Sequence, residues 1–96
     1  MALPLKTFTK DPAAVLDYTI DWDADDWLGS DTITGTPVWT VPSGLTQPTS
    51  ASNTTTTATV WLGSGTADQD YDVACKITTT AGRTDERTIR IQVRNR

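Results

Sequence analysis

Asp21, Asp23, Asp25 and Asp26 crowd into six residues, with Asp31 just beyond. Carboxylates this dense are where metal or acid–base chemistry would start. Alternating acids open the calcium loop of an EF-hand. Counted from Asp21, however, the sixth position is Asp26 where that loop needs glycine, and the twelfth is Thr32 where it needs glutamate. No flanking helices are expected either. What survives is a loose surface calcium site on Asp23, Asp25 and Asp26, with Asp31 as a fourth ligand, set against a simple solvated loop. Paired carboxylates also serve acid–base and glycosidase chemistry. That needs a cleft, and a 96-residue domain with short turns has little room for one.

Other chemistries fail earlier. The chain has no histidine, so the commonest general base and metal ligand are both missing. Its one cysteine, Cys75, alternates with apolar residues inside a strand and reads as a small core residue. Asn53-Thr54-Thr55 matches a glycosylation sequon by chance, because no secretory signal is seen. Arg83, Arg87, Arg90, Arg94 and Arg96 gather near the C-terminus, but an acidic remainder and no interleaved aromatics argue against a dedicated nucleic-acid binder. There is no glycine-rich phosphate loop. The sequence therefore predicts a protein that is not an enzyme, with no cofactor.

The elements that position these residues are strands. Leu16, Tyr18, Ile20 and Trp22 fall at every second position, so they share one face and Asp17, Thr19 and Asp21 the other. Further strands are expected over about 31–36, 38–41, 55–62, 71–77 and up to Val93. Pro42-Ser43-Gly44, 63–68 and Ala81-Gly82-Arg83 mark turns, and 43–53 reads as a loop or irregular edge. Twenty of the 96 residues are threonine, which favours extended backbone. Together these predict an all-β fold: a small antiparallel immunoglobulin-like β-sandwich of about 6–8 strands over 16–96, preceded by an N-terminal arm, 1–15. Tyr71 occupies the tyrosine-corner position, its hydroxyl returning to nearby backbone. A single cysteine precludes an internal disulfide, and no apolar run suits a signal peptide or membrane span, so the chain is expected to be made in a reducing cytosol.

Net charge is −4, unevenly spread. Residues 1–72 hold ten Asp against Lys6 and Lys10, giving −8, and residues 73–96 carry +4. Such polarity either aligns subunits head to tail or reflects solvated strand faces. Candidate contact residues are the apolar Leu3, Leu5 and Phe8 of the arm, Trp27 beside the acidic loop, Trp61 on the face opposite Val60 and Leu62, and Arg90 and Arg94 on the last strand. Trp61 is equally readable as buried within the domain, while Trp22 and Trp39 lie on inward phases.

Lys10-Asp11-Pro12, Ala14-Val15-Leu16-Asp17-Tyr18, Ile20-Asp21-Trp22, Trp27-Leu28-Gly29 and Asp31-Thr32-Ile33 also form a string that resembles a known family. So do Trp39-Thr40-Val41-Pro42-Ser43-Gly44-Leu45, Val60-Trp61-Leu62 and Ala81-Gly82-Arg83-Thr84-Asp85. The likeness is to small proteins encoded among tailed-phage structural genes, described as fiber–tail adaptor or virion structural proteins, and spans about 10–93. The insert Asp23-Ala24-Asp25-Asp26 is longer and more acidic than that pattern, and the arm lies outside it.

The resemblance implies a non-enzymatic virion adaptor in the neck, tail or fiber region. It would be a homo-oligomer in the particle whose partners are portal, neck, tail, fiber or major capsid proteins, with no membrane involvement. Its rivals are a capsid decoration (cement) protein and a carbohydrate-binding module that stacks sugars on Trp27 or Trp61.

Overall fold

A computed structural model describes residues 6–96, the Asp25 side chain excepted; Leu3 and Leu5 lie outside the described residues. The chain is all-β. Its strands are β1 (Lys6–Lys10), β2 (Leu16–Asp21), β3 (Ile33–Thr40), β4 (Leu45–Thr46), β5 (Ser52–Asn53), β6 (Thr57–Ser64), β7 (Asp70–Thr79) and β8 (Thr84–Val93), with one 3-10 turn at Ala24–Asp26. Two sheets form. The first has the order β1-β8-β7-β3; in the second β6 lies between β2 and β4, and β5 also pairs with β6.

Alternation explains which side of each strand is buried. Tyr18, Ile20 and Trp22 are buried as their spacing predicts, whereas Leu16, at the strand's first position, stays 41% exposed. Ala58, Val60 and Leu62 of β6 meet Val73, Cys75 and Ile77 of β7 and Ile89, Ile91 and Val93 of β8 in a single core. Each large aliphatic side chain so buried contributes roughly 1.5–3 kcal/mol. Thr19 and Thr59, facing out across the β2–β6 pair, share a hydroxyl hydrogen bond of 2.8 Å.

Three features depart from the expected plan. The two strands expected over 31–36 and 38–41 are one, β3, broken by a bulge between Thr34 and Val38, where Gly35 takes φ 70° and Pro37 is buried. The 43–53 stretch carries two short strands on the β6 edge. Pairing is antiparallel except for β1, which runs parallel to β8 with Phe8 opposite Ile91. The reason is topological: after Lys10 the chain crosses at 11–15 to the other sheet instead of turning back on β1. Within the expected arm, Lys6–Lys10 is thus a strand of the first sheet.

Lys10 ties the sheets together. It is fully buried in phase with Phe8, and its Nζ donates to the carbonyl oxygens of Ser64 (2.6 Å) and Asp11 (2.9 Å). Burial lowers its pKa, and Asp11 partly offsets this. At the same end of the molecule the Thr66 amide donates to the Tyr71 hydroxyl at 2.9 Å, the backbone return expected of that tyrosine. The Tyr71 ring lies over Gly44, whose φ is 103°; a Cβ there would sit 2.8 Å from the ring.

Two substitutions test this corner by urea denaturation. Tyr71→Phe removes one hydrogen bond and should lower the unfolding free energy by about 1 kcal/mol. Gly44→Ala adds a left-handed strain and a clash, and should cost roughly 2 kcal/mol or more.

Candidate interaction surfaces

The acidic segment is positioned by cations stacked on indoles. Trp22 is fully buried, and Trp27 packs at 5.9 Å between ring centroids. The Arg87 guanidinium stands 4.5 Å from the Trp22 ring centre and 5.2 Å from that of Trp27, while Arg83 covers Trp27 at 4.4 Å. Arg83 also donates to the carbonyl oxygens of Trp27 and Leu28, both at 3.1 Å, and pairs with Asp31 at 3.0 Å. Such cation–π contacts are worth about 0.5–2 kcal/mol each. The loop from Trp22 to Thr32 is therefore held against the β7–β8 turn, and Trp27 is a half-buried member of that stack.

Asp31 is committed to the same staple. Its Oδ1 accepts from the amides of Thr32 (2.9 Å) and Ala81 (3.1 Å). Hydrogen bonds from Thr79 first, then from Thr32, Ala81 and Arg83, pull its pKa down to about 2. Asp31 is thus spent on the fold as the fourth ligand the calcium reading would need. Asp26 is exposed at φ 58°, and among the described residues no group of three or more acids, cysteines or histidines could hold a metal ion. Burial pushes the Cys75 thiol up to about 12, so it is no nucleophile at neutral pH.

On the outer face of the first sheet, acids of β7 meet bases on β8 and just beyond it. Arg90 pairs with Asp72 through two contacts, 2.9 and 3.3 Å, and Arg94 with Asp70 at 2.9 Å. With Pro42 and Tyr71, Asp70, Asp72 and Arg90 line an open polar hollow of 450 Å³. Acidic and basic stretches of the sequence meet on this face because β8 lies beside β7.

Trp61 points out from β6 opposite Asp17 on β2, half-buried and apart from the core cluster. Phe8 lies at the seam where β1 of one sheet passes β2 of the other. Its ring meets Tyr18 at 4.9 Å, and Lys6 Nζ stands 5.4 Å above it. A groove of 290 Å³ opens there, lined by Lys6, Phe8, Thr19, Ile20, Asp21, Ala24 and Ile89. The structure does not gather the predicted contact residues into one patch: Phe8 is in the seam, Trp27 in the staple, Trp61 on the second sheet, and Arg90 and Arg94 on the first.

Sequence reading missed the roles of Arg83, Arg87 and Lys10. For Arg87 the signal was present, since it shares the odd-numbered phase of Ile89, Ile91 and Val93 and so was bound to face inward. Lys10 likewise shares the phase of Phe8. Arg83 carried no such signal, because its partners are 52 to 56 residues away in sequence.

A family model described as podophage GP4 fiber-tail adaptor protein gp77 matches residues 10–92. No curated protein matches the chain.

The staple has an acid limit with a definite sign. Because the folded pKa of Asp31 lies below its ordinary 3.8, the stability it lends is present above about pH 4 and is lost as pH falls toward about 2. Asp31→Asn should be less stable than the parent at neutral pH, and the gap should close across that window in urea titrations at stepped pH.

Proposed function

The chain belongs to the podophage GP4 fiber-tail adaptor family, and on that footing we propose that it is a non-enzymatic virion protein joining subunits in the neck, tail and fiber region. The observation that carries this reading, beside the family match over 10–92, is the supply of strand edges. Among the described residues, β1 and β3 in one sheet and β2 in the other each pair along one edge only. Their free backbone groups are a template for a partner strand, which is how a small rigid domain joins larger ones without a catalytic cleft.

We read residues 16–96 as an immunoglobulin-like sandwich, supported by the β7–β8 hairpin and the Tyr71–Thr66 bond. Residues 1–15 form its arm, which contributes β1. Phe8 and Trp61, off the densest part of the core, are contact residues in this reading, and many copies per particle multiply individually weak contacts.

Particles assembled without this protein should package normally yet carry few or no fibers, and supply of the protein in trans should restore them. Electron cryo-microscopy should then place its density between tail and fiber. Density confined to the capsid shell, with fiber content unchanged, would instead identify a decoration protein.

A further inference from the structure

We infer that the seam between β1 and β2 receives an extended segment of a partner protein, added as a strand on the open edge of β2 and carrying cations on its outward phase. This rests on the adaptor reading and specifies which of the free edges is used, and by what chemistry.

The choice of edge follows from comparing them. The β3 edge is interrupted by its bulge and by Pro37, which has no amide hydrogen to donate. The β4 and β5 strands are two residues each. β2 offers six residues in unbroken register with β6, one more than β1 has with β8. The Trp22 amide donates to Thr56, continuing the β6 side of the ladder. Backbone groups in the phase of Trp22 therefore point to β6, and those of Asp17, Thr19 and Asp21 point to the open edge.

The groove beside that edge supplies both anchoring and selectivity. Phe8, Ile20 and Ile89 give it an apolar floor, and 290 Å³ accommodates a large aliphatic side chain of an incoming strand. Asp17 and Asp21 stand on the outer face along the same strand, four residues apart. Both are exposed, and neither is in an ion pair with a described residue. A strand added here places every second side chain over the floor and the others beside these two carboxylates. The fitting segment is therefore a cation, an apolar residue, any residue, an apolar residue and a second cation.

A fluorescein-labelled peptide with the core Lys-Leu-Thr-Leu-Lys, titrated into the full chain and followed by anisotropy, tests this directly. Its counterpart Glu-Leu-Thr-Leu-Glu should bind at least about tenfold more weakly. The double variant Asp17→Lys/Asp21→Lys should invert that preference. Thr19→Pro, which removes an edge donor while leaving the charges, should weaken both peptides, with circular dichroism and thermal melts confirming that each variant folds.

Equal binding of the two peptides, or a double variant that binds like the parent, overturns the inference. So does binding that appears only after residues 1–5 are deleted, which would assign the seam to the chain's own N-terminus. Particle analysis separates the two levels of the argument. If the parent is incorporated and supports fibers while the double variant does so equally well, the seam is wrong and the adaptor role stands. If the parent itself is absent from particles, the adaptor role fails.

Discussion

Strand β8 is paired along both edges, with β1 and with β7, and its two-residue period dictates what its neighbours can do. One phase sends Ile89, Ile91 and Val93 into the core and carries Arg87 in with them. The other phase sets Arg90 beside Asp72 on the outer surface. A one-residue slip would expose the apolar set and bury the charged one, so register here is strongly specified. The parallel docking of Phe8 on Ile91, the capture of the acidic loop by Arg83 and Arg87, and the burial of Lys10 all depend on that register.

The two ends of the domain are closed by different means. At one, aromatic rings and guanidinium groups stack around Trp22 and Trp27, and the Asp31 carboxylate gathers the amides of the adjoining turns. At the other, a buried ammonium bridges sheets through carbonyl oxygens and a tyrosine hydroxyl takes a turn amide. Exposed ion pairs such as Arg94–Asp70 add little, about 0–1 kcal/mol each, and hold local geometry more than global stability. With both ends committed to the fold, the open strand edges lie along the sides of the sheets.

Free strand edges are ordinarily an aggregation hazard, countered by charge, proline, bulges or short length. All four devices occur here. Pro37 and the bulge interrupt β3, brevity limits β4 and β5, and aspartates line β2. Charge differs from the other three in being selective, because it repels acidic or like strands and attracts basic ones. In the reading proposed above, that difference would let the β2 edge refuse an acidic strand while accepting a basic one.

Strands β2, β6, β7 and β8, the identity of most core residues, the Ala81-Gly82 turn and the backbone return of Tyr71 were legible in the sequence because each depends on local alternation or turn chemistry. Alternation assigns a side chain to a face whatever the partner strand. Strand pairing is set by contacts between distant residues, so the parallel β1–β8 pair and the β1–β2 seam arose only with the tertiary structure. The same holds for charge. Sequence order separates an acidic stretch from a basic one, but folding lays β8 beside β7 and pairs Asp70 and Asp72 with arginines of the basic stretch. Trp27, read as a contact residue next to an acidic loop, became part of a stack because Arg83 and Arg87 reach it from more than fifty residues away. By itself the sequence determined an all-β chain of this adaptor family with a strong inside–outside pattern. Only the three-dimensional arrangement decided which edges stay open, since an edge is defined by the strand that is not beside it.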